Sequence, residues 1–138
     1  DRLRGLFHPE ARFEGFGSAP AGCDVDTFIS GVAKRLKQAI SVHQCFLPEI
    51  VFQNEGSARA VWGMHDYVEW PQGDMEIIEA PGCSGFVGYG YYEESYRDDG
   101  GRWLISSTRL TRLRIDPVRR DAATSVPLIS LPKSDWLD

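Results

Sequence analysis

The chain has 138 residues with 42% hydrophobic and 25% charged side chains, values that describe one globular domain with a single core and exclude disorder over most of its length. Its formal charge of −5 provides no basic footprint for nucleic acid, and no apolar run approaches the roughly 20 residues needed to cross a bilayer. No nucleic-acid or membrane partner is therefore expected, and the chain reads as soluble and cytoplasmic, with its three cysteines, Cys23, Cys45 and Cys83, too scattered for a disulfide framework or a zinc site.

The chain begins at Asp1, and "RLRGLF" reads as the last turns of a helix whose start lies upstream, with Leu3, Leu6 and Phe7 at helical spacing before Pro9 forces the backbone out. A short strand from Ala11 to Phe16 follows. Gly15, Gly17, Pro20 and Gly22 then mark a loop, and Asp24 and Asp26 offer N-caps for a helix over Asp26 to Ala39, whose Val25, Phe28, Ile29, Val32, Leu36 and Ile40 form one apolar face.

From Val42 the residues become β-branched and aromatic: "VHQCFLPEIVFQ", a turn at "EGS", then "ARAVWGMHDYVEW" predict a hairpin. A loop over Pro71 to Gly85 leads to a second hairpin, "FVGYGYYEESYR" and "RWLISSTRLTRLRI", joined by the tight turn "DDGG". The domain is expected to span residues 1–116. Residues 117–138, with three prolines and short apolar pieces, form a C-terminal extension, either an arm on a neighbouring subunit or a disordered end.

Helices followed by long antiparallel strands predict an α+β fold, a curved sheet packed on N-terminal helices with a pocket between the layers. The order of features, and three stretches in particular, resemble the nuclear transport factor 2-like superfamily and its SnoaL-like branch, which includes scytalone dehydratase. These are "LRGLFHPEARFEG", "SVHQCFLPEIVFQNEGSARAVW" and "GYGYYEESYRDDGGRWLISSTRLTRL", the last similar to a family pattern of Gly, any, Tyr, any, acid and a turn ending in Gly-Arg-Trp. The resemblance covers roughly Leu3 to Ile115 and implies a cone-shaped, cystatin-like roll. It further implies that His43 projects into the cone as acid or base, oriented by an aspartate on a helix upstream of Leu3. Where those dehydratases carry a second histidine on the closing hairpin, this chain has Tyr89, Tyr91 and Tyr92.

The chemistry of the residues gives the candidates content. An imidazole titrates near about 6.5 and can both take and give a proton, as elimination or isomerisation beside a carbonyl requires. The bland reading is that His43 hydrogen-bonds a backbone group at a helix end. On the strand Ala58 to Trp70, alternation groups Ala60, Trp62, Met64, Asp66 and Trp70 on the more apolar side, which we turn toward the cone. Asp66 then either partners His43 or is a solvated strand-end carboxylate, while His65 faces away. On the closing hairpin Gly88, Gly90, Tyr92, Glu94 and Tyr96 share a face, and Tyr92 and Glu94 match the tyrosine and acid of the family pattern. A tyrosine ladder across strands is the plainer alternative. On the last strand Trp103, Ile105, Ser107, Arg109 and Thr111 share a face, so Arg109 either turns inward to an acid or an anionic group, or joins Arg112 and Arg114 on a solvated edge.

His43, Asp66 and Tyr92 are thus the catalytic candidates, and Trp62, Met64, Glu94 and Arg109 the substrate-binding ones. No HExxH spacing or GxSxG elbow occurs, and neither metal nor cofactor is expected. The expected function is a lyase or isomerase acting on a small apolar or aromatic carbonyl or hydroxy compound, in a homo-oligomer, dimer or trimer. The alternatives are a non-catalytic ligand-binding or oligomerisation module, and a structural subunit resembling the small subunit of ring-hydroxylating dioxygenases.

Overall fold

The computed structural model describes residues 2–70, 77 and 79–119, so most of the expected C-terminal extension lies outside the described residues. A 3₁₀ turn at Arg4–Leu6 leads into β1 (Phe7–Glu14), α1 (Val25–Leu36), β2 (Ile40–Asn54), β3 (Ser57–Glu69), β4 (Gly85–Asp98) and β5 (Trp103–Val118). The strands form one curved sheet in the order β1-β5-β4-β3-β2, an α+β architecture with α1 against one face.

Local chemistry sets most of the boundaries. The Asp24 side chain accepts a 2.8 Å bond from the Thr27 amide and caps α1, Asp26 lies in the first turn and Lys34 and Arg35 in the last, each complementing the helix dipole. The helix stops at Leu36 rather than Ala39, because Ile40 already pairs with Glu69 as the first residue of β2. His43 consequently sits inside a strand, not at a helix end. The β2–β3 hairpin turns at Glu55-Gly56, where Asn54 Oδ1 accepts the Gly56 amide at 2.9 Å. In the β4–β5 turn, Gly100 and Gly101 take the left-handed backbone that a side chain would oppose, at φ 66° and 92°.

Pro117 is the penultimate residue of β5, and two further prolines fall inside strands, Pro9 in β1 and Pro48 in β2. Both strands are sheet edges, where a missing amide donor costs no ladder bond. β1 begins at Phe7, earlier than Ala11, and pairs with β5 in parallel, so the sheet is mixed rather than wholly antiparallel.

α1 packs through Val25 and Phe28 on Ala11 and Phe13 of β1, with the Phe13 and Phe28 rings stacked at 3.9 Å between centroids. A second cluster, Val68, Trp70, Ile77, Ala80 and Phe86, closes the other end, and Trp70 Nε1 donates to the Arg35 carbonyl at 2.9 Å to tie it to the helix. Between the two clusters the layers do not touch. That gap is the cavity.

Candidate active site

The cavity has a volume of about 360 Å³, within the range of small-molecule sites, and most of its wall is apolar: Phe7 and Phe16, Phe28 and Val32 of α1, Phe86 and Leu110 of the sheet. On the sheet side its polar groups come from four neighbouring strands, β2 to β5. His43 on β2 stands opposite Asp66 on β3, which stands opposite Gly88 on β4. Arg112 of β5 reaches across the bare Gly88 backbone and grips Asp66 with two bonds, 2.7 Å to Oδ1 and 2.6 Å to Oδ2. A Cβ on Gly88 would collide with both members of this pair.

Asp66 is 1% exposed, and the guanidinium of Arg112 also lies 5.0 Å from the Phe86 ring centre. His43 Nδ1 is 3.9 Å from Asp66 Oδ2, an ion-pair distance longer than a hydrogen bond, with the ring 42% exposed at the cavity mouth. Burial pulls the His43 pKa below its usual value, Asp66 pulls it back up and Arg112 lowers it again. The imidazole is therefore neutral at physiological pH and able to accept a proton. Nδ1 faces Asp66 without a hydrogen bond to it, which leaves Nε2 for a ligand.

Tyr92, on β4, lines the same cavity with its ring stacked on Phe16 at 6.2 Å. Its hydroxyl is pushed up to about 12, first by burial and then by the Asp66 charge, so it stays protonated and can only donate or accept a hydrogen bond at neutral pH. Glu94 lines the cavity two residues further along. Burial raises its pKa, while hydrogen bonding to Tyr96, Thr108 and Trp62 opposes the rise.

Of the residues singled out from sequence, His43, Asp66, Tyr92 and Glu94 are brought to one cavity. Trp62 and Met64 point to the same side of β3 but do not line it: Met64 is buried behind the wall, and Trp62 Nε1 donates to Tyr96 Oη at 2.9 Å. Arg109 is on the outer face, forked onto Glu93 by two 2.8 Å bonds, and takes no part. His65 also faces outward, 3.0 Å from Gln44.

Sequence reasoning passed over Arg112 as a solvated edge residue. One bulge explains the exchange. The pairing of β4 with β5 shifts between Ser95 and Tyr96, opposite Ser107 and Ile105, so alternation counted from Trp103 changes phase before it reaches Arg109; a second shift, between Tyr89 and Gly90, lies beyond Arg112. The available signal was the Gly88 and Gly90 pair on the inner face of β4, side-chainless positions over which another group passes. A Cβ on Gly90 would meet the Thr111 carbonyl, and one on Gly88 the Arg112 guanidinium.

Among the described residues no group of His, Cys, Asp and Glu is arranged to hold a metal ion, and no helix is long and apolar enough to cross a membrane.

No curated protein matches the chain in sequence. Solved structures do match in fold. A candidate scytalone dehydratase of Novosphingobium aromaticivorans aligns with a TM-score of 0.65 at 14% identity, over 87% of this chain and 74% of that one. A type 2 hexachlorocyclohexane dehydrochlorinase gives 0.65 at 13% identity, over 85% and 74%. A cystatin-like protein of Caulobacter vibrioides gives 0.61 at 15%, over 82% and 75%. The model of the SnoaL-like domain family matches residues 1–109, and the chain therefore belongs to the SnoaL-like domain family.

Proposed function

We propose that this chain is a cofactor-free lyase or isomerase that moves a proton on a small, largely apolar carbonyl or hydroxy compound. The observation that carries the reading is a neutral imidazole beside a buried, arginine-clamped carboxylate in a largely apolar cavity. Two of the structural neighbours are named for eliminations, a dehydratase and a dehydrochlorinase, which supports that reaction class.

In the proposed step, His43 Nε2 takes a proton from the carbon next to a carbonyl. The C–H electron pair becomes the new carbon–carbon double bond as the neighbouring hydroxyl departs with its own pair. The imidazolium returns the proton to that hydroxyl, which leaves as water. If the proton is instead returned to a different carbon, with no group departing, the product is an isomer. Asp66 stabilises the imidazolium while it exists, and Arg112 holds the Asp66 carboxylate in orientation by two hydrogen bonds in a site that would otherwise penalise a buried charge. Tyr92 donates to the substrate oxygen on which negative charge develops. The apolar wall takes the ring system and excludes competing water.

Aromatic and polycyclic ketones and secondary alcohols, incubated with the purified protein and followed by mass spectrometry, are expected to yield a product lighter by one water. His43→Ala is expected to abolish that turnover with the far-ultraviolet circular dichroism unchanged. Turnover that survives the substitution overturns the reading; ligand binding without any turnover points to the non-catalytic module instead.

Self-association is proposed on separate grounds. β2 is an edge strand whose Leu47, Val51 and Phe52 are 95%, 63% and 69% exposed, apolar side chains along an open edge that a second copy would cover. Light scattering that finds only monomer at micromolar concentration overturns it.

A further inference from the structure

A second polar station lies in the same cavity, away from His43. Glu94 of β4 and Thr108 of β5 stand directly opposite each other on neighbouring strands, and both line the cavity. Thr108 is 5% exposed, and its Oγ1 makes no hydrogen bond of normal geometry among the described residues, although it is near enough to Glu94 to favour that carboxylate. A buried hydroxyl left without a proper partner costs free energy that a ligand can recover.

Glu94 is held in place from behind. Trp62 Nε1 donates to Tyr96 Oη at 2.9 Å, and Tyr96 Oη donates to Glu94 Oε2. This relay fixes the carboxylate plane. Along β4, Gly88, which faces Asp66, and Glu94 are six residues apart, about 20 Å of strand. Between them lie Tyr92 with its stacked Phe16, and Leu110 opposite. The cavity is thus an aromatic and aliphatic corridor with a polar group set at each end.

We propose that Glu94 and Thr108 form a hydroxyl-binding subsite that selects elongated, largely apolar substrates carrying a second hydroxyl at the end remote from the reacting carbon. A hydroxyl satisfies both residues at once, donating to the Glu94 carboxylate and accepting from Thr108 Oγ1. A ligand carboxylate there would face Glu94 at close range, and an apolar end would leave Thr108 unpaired. The substrate assignment rests on His43 marking the reacting end, whereas the subsite itself does not.

Calorimetric titration with two probes tests the subsite: biphenyl, with no hydroxyl, and para-phenylphenol, with one. The wild-type protein is expected to bind para-phenylphenol roughly tenfold more tightly, the increment of one hydrogen bond to an otherwise unpaired buried group. Thr108→Ser, which keeps the hydroxyl, retains the increment; Thr108→Val erases it and leaves the affinity for biphenyl unchanged. Equal affinities for the two probes in the wild type overturn the proposal, as does an increment that survives Thr108→Val, or failure of both probes to bind. In His43→Ala the increment persists, and its loss there would put the hydroxyl at the His43 end of the corridor and overturn the subsite. If the increment behaves as expected while His43→Ala retains turnover of a substrate, the proton-transfer reading fails and the subsite stands.

Discussion

Two arginine–carboxylate pairs lie three residues apart along β5, on opposite faces of the sheet. Arg109 forks onto Glu93 on the outer face, with side chains 57% and 36% exposed. Arg112 forks onto Asp66 on the inner face, with side chains 18% and 1% exposed. Their bond lengths scarcely differ, 2.8 Å outside against 2.6 and 2.7 Å inside. Their settings differ in everything that matters. Outside, Arg109 and Thr111 lower the Glu93 carboxyl to about 2, but solvent screens the pair and supplies replacement hydrogen bonds when either partner is lost. Inside, the pair is shielded from bulk solvent, so each group depends on the other. Depth, rather than geometry, decides what an ion pair contributes.

Arg112→Met puts the comparison to its hardest test. It keeps most of the side-chain volume but strands Asp66 as a buried, uncompensated charge, at an expected cost of about 3–5 kcal/mol in urea denaturation. Adding Asp66→Asn is expected to recover most of that loss, because the stranded charge disappears with it. A double variant no more stable than the single one would show that the pair is not the cause.

Gly88→Ala attacks the same pair without touching either charge. Its methyl group occupies the space where Arg112 and Asp66 meet, and the guanidinium must shift to admit it. The expected cost, about 1–3 kcal/mol, is that of overpacking, smaller than that of a lost charge partner. A thermal melt indistinguishable from wild type would mean that Arg112 reaches Asp66 by another path.

These effects also explain which parts of the molecule could be read from the sequence. The hairpin turns were legible because Asn54, Gly56, Gly100 and Gly101 encode them locally. The inner faces of β3 and β4 were legible too, since their pairing runs without a shift from Ser57 and Arg97 to Glu69 and Gly85, and period two holds throughout. That is why Asp66, Tyr92 and Glu94 could be grouped by counting. β5 carries a bulge between Ile105 and Ser107 worth one residue of phase, and counting from Trp103 therefore turned Arg109 inward and Arg112 outward. The parallel pairing of β1 with β5 joins segments about a hundred residues apart, and the early end of α1 follows from the pairing of Ile40 with Glu69. Neither is written in local propensity.

The inner face can be probed more finely through His43, whose ring reports the field of the Asp66–Arg112 pair. Burial lowers its pKa from 6.5 and Arg112 adds to the fall, while Asp66 opposes it. The folded protein thus resists protonation relative to the unfolded chain. Its contribution to stability is complete above the unfolded value and is lost as pH falls below it. Ring-proton chemical shifts are expected to give a midpoint below 6.5, and any activity that uses His43 as base should fall away on that acid side. Asp66→Asn removes the one raising influence and moves the midpoint lower still. A midpoint that rises in this variant would mean that the carboxylate does not act on the ring.

The smallest effect belongs to the outer pair. Arg109→Ala breaks two bonds as short as many in a protein core, yet both side chains face water, and Thr111 Oγ1 continues to donate to Glu93 at 2.7 Å. The substitution should release the Glu93 carboxyl upward from about 2, readable by carboxyl-carbon chemical shifts, while the urea midpoint barely moves. A loss of stability approaching that of Arg112→Met would overturn the contrast between the faces. Such a result would require the outer face to be covered, as it would be if a second copy extended over it from β2.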